Sequence, residues 1–276
     1  MINALASFFG LIIRFIYNLV NSNYFITILL FTILTKILLF PLSWIQIKST
    51  EKLNRIAPLD KKIREKYKND KQKQAEELSK IYSENKINPL GGCLPVLLQF
   101  PIIIAMFYIV KYPLTYVKPI PQEQIKTYTQ ELLKKEEVSD VEIKENQLIV
   151  AKEKKLINMD VIKGINLGEV PSNTFSKNEN KKANPISLLI PILTVVFSML
   201  QTKIMQKGSN MTDEQVEMQK SMNMMIPLFS GFIAYTMPLA LGVYWLFGNI
   251  LQIVQQLIIN KIIQKDKEKV ALDSGK

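Results

Sequence analysis

Residues Phe25 to Trp44 constrain this chain more than any others. They read Phe-Ile-Thr-Ile-Leu-Leu-Phe-Thr-Ile-Leu-Thr-Lys-Ile-Leu-Leu-Phe-Pro-Leu-Ser-Trp, an apolar run long enough to cross a bilayer, with one charge, Lys36, inside it. A charge at membrane depth costs about 2.5–3.5 kcal/mol on insertion scales, so such a residue reads as functional. The alternative is a lysine that snorkels to the nearer surface. That surface lies toward Trp44, on the C-terminal side, whereas helical side chains lean toward the helix N-terminus. Thr32 stands one turn back on the same face and Thr35 is adjacent. The charge has polar company, and a polar, protein-lined cavity is the reading adopted.

The rest of the chain divides into apolar blocks and basic, polar blocks. Its 276 residues are 48% hydrophobic with a net charge of +11, and the mean hydropathy of +0.10 averages over that division. Such a mixture marks a polytopic membrane protein with polar loops. The lysines flank apolar runs, where positive charge sets topology, so no specific nucleic-acid partner is expected. A single cysteine, Cys93, excludes an intramolecular disulfide and a multi-cysteine metal site, and the absence of histidine removes His-based nucleophile systems and His metal sites.

The pattern gives an all-α polytopic protein, a five-helix transmembrane bundle with a cytoplasmic helical hairpin and an N-terminal interfacial helix. Residues 1–23 form that helix, with Asn3, Ser7, Gly10, Arg14 and Asn18 on one side and Phe, Leu and Ile on the other. A membrane-spanning anchor is the alternative, and a cleaved signal peptide is not expected. The spans are 24–44, 93–110, 185–205, 222–238 and 239–260. Between them lie the hairpin 45–92, an extracytoplasmic region 111–184 and a loop 206–221. A basic tail, 261–276, follows. In the hairpin Leu53, Ile56, Leu59, Ile63 and Tyr67 recur at helical spacing, as do Ala75, Leu78 and Ile81, with Tyr82 beside them. Lys68 to Lys71 is a turn signal, and Pro58 is expected to interrupt or kink the first arm. In 111–184, residues 124–135 read as a short helix and Gln147 to Ala151 as a strand. The Lys/Arg excess of the hairpin and tail puts both, with the C-terminus, in the cytoplasm.

Four stretches carry a resemblance as a set, in order and spacing. They are Tyr24 to Leu42, Lys66 to Lys73, Asn88-Pro-Leu-Gly-Gly-Cys-Leu-Pro-Val-Leu-Leu-Gln-Phe-Pro101, and Leu241-Gly-Val-Tyr-Trp-Leu-Phe-Gly-Asn-Ile-Leu-Gln-Ile-Val-Gln-Gln255. The sequence resembles the YidC/Oxa1/Alb3 family of membrane protein insertases, in its five-span, Gram-positive form. That resemblance implies insertion of membrane proteins without covalent chemistry, and hence no enzyme activity and no cofactor. It implies a hydrophilic groove, open to the cytoplasm and to lipid and closed outside, with one cation. Lys36 stands at the cation's position, where the family usually has arginine. Candidate groove residues beside Lys36 are Thr32, Gln99, Thr194, Ser198, Gln201, Tyr244, Trp245, Asn249 and Gln252. Interhelical hydrogen bonding is the plainer role for each. The implied partners are nascent membrane proteins and the lipid bilayer. The Sec translocon, the signal recognition particle receptor and the ribosome are further candidates. The implied location is the bacterial cell membrane. A small transporter or channel with an intramembrane lysine site is the alternative reading, although no internal repeat is visible. An intramembrane enzyme fits poorly, because no Asp or Glu lies inside a span and Ser43 is two turns from Lys36.

Overall fold

The computed structural model describes residues 2–86, 94–162, 164–176, 182–206 and 213–274. Residues 87–93, which include Asn88 to Cys93 of the third resembling stretch, lie outside these residues, as do 177–181 and 207–212. Among the described residues the fold is helical apart from one short β-hairpin, with the helices α1 (Ile2–Leu19), α2 (Tyr24–Leu38), α3 (Phe40–Lys66), α4 (Lys71–Glu84) and α5 (Leu94–Lys111). After α5 come α6 (Pro113–Tyr116), α7 (Gln122–Leu133), α8 (Asp140–Glu153) and the antiparallel strands β1 (Asp160–Ile162) and β2 (Ile165–Asn166), with Asp160 opposite Asn166. The chain closes with α9 (Leu189–Gln206), α10 (Asp213–Thr236) and α11 (Leu239–Ser274).

Among the described residues two helical stretches are long and apolar enough to cross a membrane, Pro185–Met205 and Leu239–Lys265. The pair α2 and α3 makes a third if taken as one span bent by 55°. Asn3–Leu19, Gln99–Lys111 and Met224–Thr236 are shorter apolar helices. Lipid-type faces are visible on them. On α2, Ile26, Leu30, Ile33 and Ile37 form an exposed stripe, while Tyr24, Ile28, Phe31, Thr32 and Thr35 are buried on the other side. On α1, Phe8, Leu11, Phe15 and Leu19 are exposed in the same way. This helix folds back on α2, with Phe9 edge-on to Phe31 and Tyr17 to Tyr24. It also packs on α5 and α6, where Gly10 lets Tyr116 approach to 3.2 Å of where a Cβ would stand.

The main apolar core unites the buried face of α1, the first half of α2, the second half of α5, the start of α11 and the segment that follows α5. Phe31, Met106, Ile109, Leu114, Val150, Met159, Leu167 and Leu241 are among its members. That segment is tied to the bundle through the backbone. The Tyr24 N–H donates to the Asn158 carbonyl at 3.1 Å, and those of Leu239 and Ala240 donate to Glu169 and Leu167 at 2.7 and 2.9 Å. The apolar core thus lies at the end where α2 and α11 begin and α5 finishes.

Three local readings of the sequence are corrected. Gln147 to Ala151 belongs to α8, not to a strand. Ser139 and Glu142 form a capping box whose Glu142 accepts from the Ser139 N–H at 2.9 Å, and that signal starts a helix running through the apolar residues. Hydrogen bonds from Lys135 and Ser139 hold the Glu142 carboxyl down to about 2. Pro58 does not interrupt the first arm: it sits inside a continuous α3, with Ile56, Ala57 and Asp60 buried around it. The break falls instead at Leu39, beside Pro41, which has no N–H to continue the helical ladder. In the α3–α4 hairpin Leu59 is 50% exposed, and Asp60 takes the inward position at 3%. The Tyr82 hydroxyl donates to Asp60 Oδ2 at 2.6 Å. Arg64 Nε donates to Asp60 Oδ1. Gln74 Nε2 donates to the Arg64 carbonyl at 3.1 Å, joining the arms above the turn. Burial, then the bond to Asp60, push the Tyr82 phenol up to about 12.

The contact of α9 with α10 depends on one glycine. A Cβ on Gly231 would lie 2.3 Å from Val195 Cγ2. Gly231→Ala is expected to lower stability by about 1–3 kcal/mol, the range for overpacking. Thermal unfolding in detergent checks this, and adding Val195→Ala is expected to recover most of the loss.

Candidate functional site

Several polar residues of the apolar helices gather where α2 ends against α11, beyond the apolar core. The reason is helical spacing. Tyr244, Gly248, Gln252 and Gln255 follow one another at intervals of four, four and three, so they form one stripe along α11. Thr32, Thr35 and Lys36 form the matching face of α2, and the two helices pack together.

Lys36 lies along that stripe. Its Nζ donates to Gln252 Oε1 at 3.0 Å, and its Cε is 3.9 Å from where a Cβ on Gly248 would stand. The Lys36 side chain is half-buried, and among the described residues no carboxylate within ion-pair distance of it appears. One step nearer the apolar core, Gln99 Nε2 of α5 donates to the Tyr244 hydroxyl at 2.9 Å. Tyr244 is 3% exposed, and Thr35 lies within hydrogen-bonding reach of it. Thr32 and Thr35 are also held by their own helix, donating to the Ile28 and Thr32 carbonyls at 2.6 and 2.8 Å. Gln99 sits inside α5 close to Pro101, and its amide is met by a neighbouring helix, as a polar group in an apolar environment requires.

The structure therefore brings together Lys36, Thr32, Gln99, Tyr244 and Gln252. Thr194, Ser198 and Gln201 lie on α9, which packs on α11 and α10. Thr194 and Ser198 are buried. Thr194 donates to the Ile190 carbonyl at 2.7 Å, and Gln201 Nε2 reaches Met205 Sδ at 3.9 Å. Trp245 is half-buried on α11. Asn249 is 9% exposed, and its Nδ2 is buried without a hydrogen-bond partner among the described residues. Gln255 is missing from the residues singled out in the sequence. It donates through Nε2 to the Lys36 carbonyl at 2.9 Å. Its position three residues after Gln252, on the same face, was the available signal.

No group of three or more Cys, Asp or Glu side chains that could hold a metal occurs among the described residues. The chemistry open to the site is that of one ammonium with amide and hydroxyl neighbours: attraction and hydrogen bonding of an anionic or polar group.

The pattern of the 60Kd inner membrane protein family matches residues 15–267. The chain belongs to this family, the YidC/Oxa1/Alb3 family. Two relatives carry the name "Membrane protein insertase YidC" with nearly the whole of this chain. That of Clostridium tetani is 28% identical over 95% of this chain and 94% of its own length. That of Clostridium perfringens is 27% identical over 91% and 84%. A third, from Pelodictyon phaeoclathratiforme, is 31% identical over 87% of this chain, which spans about a third (33%) of that relative. As a member of the YidC/Oxa1/Alb3 family with several long apolar helices, the chain is an all-α polytopic membrane protein.

Proposed function

We propose that this protein is an insertase that integrates nascent membrane proteins through a hydrophilic groove, with Lys36 as the groove's fixed cation. The observation that carries the reading is the Lys36–Gln252 contact at the polar end of apolar helices whose other end holds the apolar core. Membership of the family and the printed names of the relatives support it.

The physical logic is direct. A nascent helix must draw its polar flank through hydrocarbon, where each unsatisfied polar group costs several kcal/mol. A wet cleft reaching partway through the bilayer shortens that dry path. An ammonium in the cleft attracts carboxylates of the flank, and the substrate helix then leaves sideways into lipid, driven by its own apolar surface. Thr32, Gln99, Tyr244 and Gln252 supply hydrogen-bonding groups along the way. Thr194, Ser198, Gln201, Trp245 and Asn249 are proposed to line the side of the cleft nearer α9.

In this reading five spans cross the membrane: α2 with the start of α3, then α5, α9, α10 and α11. Residues 1–23 lie at the outer interface. The α3–α4 hairpin and the C-terminus are cytoplasmic by the excess of Lys and Arg beside them. The hairpin is the recruiting element for incoming chains, with the Sec translocon, the signal recognition particle receptor and the ribosome as candidate partners. Insertion of short single-span substrates in cells depleted of this protein tests the reading; it is expected to fall.

A further inference from the structure

Lys36 is held to α11 at two points, and only one of them is its ammonium. The other is its backbone. The last four carbonyls of a helix have no donor within that helix, and α2 ends at Leu38, so Lys36 is among those four. The Leu39 N–H serves the Thr35 carbonyl at 3.0 Å. The helical ladder breaks at Leu39, between α2 and α3, so the Phe40 N–H that would ordinarily serve Lys36 does not continue it, and Pro41 has no N–H for the Ile37 carbonyl. The Lys36 carbonyl is instead met from across the helix pair, by Gln255 Nε2 at 2.9 Å.

Gln255 is 9% exposed, and its Oε1 is buried with no partner among the described residues. Its amide is therefore only half satisfied, and a buried unsatisfied acceptor is unfavourable. Turning the amide over would set its oxygen against the Lys36 carbonyl and lose the one bond it makes. The donor is committed to the end of α2, beside the 55° break into α3. Gln252, three residues earlier on the same face, accepts from Lys36 Nζ at 3.0 Å.

We propose that Gln255 is a positioning residue for the cation: it grips the Lys36 carbonyl at the α2–α3 break and so sets the depth and direction from which the Lys36 ammonium enters the cleft. The α11 glutamine pair divides the work, Gln252 on the charge and Gln255 on the main chain that carries it. This inference rests on the insertase reading for its consequence, but its geometry can be tested apart from insertion.

The test uses the full-length protein in its native membrane with Cys93→Ser, so that one introduced cysteine is the only thiol. Lys36→Cys abolishes the ammonium contact and keeps the backbone carbonyl that Gln255 grips. The rate of maleimide modification of that cysteine is compared with Gln255 intact and with Gln255→Met, an unbranched apolar side chain of similar length; Gln255→Leu serves as a second variant. Ile33→Cys, on the exposed face of the same helix, is the control. Losing one net hydrogen bond is expected to change the Lys36→Cys rate about fivefold and leave the Ile33→Cys rate unchanged. Equal rates at Lys36→Cys with and without Gln255 overturn the proposal, and so does an equal change at both positions, which is a general loosening. With Lys36 in place, Gln255→Met is expected to reduce about fivefold the insertion of a substrate whose translocated flank carries carboxylates, and to spare the same substrate with Asn and Gln in their place. If Lys36→Ala leaves insertion untouched while labelling still responds to Gln255→Met, the geometric grip stands and the part given to the charge in the insertase reading fails; if depletion of the protein leaves insertion untouched, the insertase reading itself fails.

Discussion

Lys36→Ala is expected to slow the insertion of substrates with an acidic translocated flank by at least about fivefold, and Lys36→Arg to preserve it. The size follows from charge and surroundings. A unit pair at about 4 Å is worth about 1 kcal/mol in bulk water and about 4 kcal/mol at an effective dielectric near 20. Lys36 is half-buried between apolar helices, so its value falls between these limits, roughly fivefold to several-hundredfold in a limiting step. Arginine keeps the charge and has room beside Gly248, where a Cβ would still be 3.9 Å from Lys36 Cε. Its planar fork adds donors that lysine lacks. The discriminating control is the substrate. Replacing its carboxylates by amides should remove most of the difference between wild type and Lys36→Ala. Equal insertion of the acidic substrate by both proteins would remove the charge from the mechanism.

The second large effect is expected in the hairpin. Asp60→Ala takes the acceptor from both Tyr82 and Arg64 in a position 3% exposed. Breaking a buried pair costs about 3–5 kcal/mol. The Arg64 side chain is 25% exposed, so water recovers part of that, and about 2–4 kcal/mol of α3–α4 association should be lost. Hydrogen exchange of the α4 amides measures it, and their protection should fall by roughly thirtyfold or more. Asp60→Asn, which keeps an acceptor for the Tyr82 hydroxyl, should fall between. Unchanged protection in Asp60→Ala would mean that the apolar contacts of Ile56, Ala57 and Leu78 hold the arms alone.

These two sites were not equally legible in the sequence. Lys36, Gln99, Tyr244 and Gln252 stand out because a polar group in an apolar run is costly, and each finds its partner on another helix. Gln255 was less visible because it serves a backbone carbonyl, and no side-chain pattern records which carbonyls are left over at a helix end. Asp60 was passed over for Leu59 because an aspartate in a basic, polar helix reads as solvent-facing. Partners such as Arg64, four residues away, and Tyr82, on the opposite arm, make its burial tolerable. Residues 147–151 suit either a strand or a helix by composition alone. The capping box at Ser139 and Glu142 decides between them, eight residues upstream of Gln147. Pro41 and Pro58 show the same limit: both prolines are visible, but packing chooses which one coincides with a break.

The central claim, that this chain inserts membrane proteins, is tested most directly by following a short single-span substrate in cells depleted of this protein and lacking a paralogue. Cleavage of the substrate's translocated flank by protease added outside the cells, their wall removed, should drop on depletion and return when the chain is supplied again. Undiminished insertion in the depleted cells, or recovery of solute flux in liposomes holding the purified chain without any insertion, would contradict the account and favour a transporter.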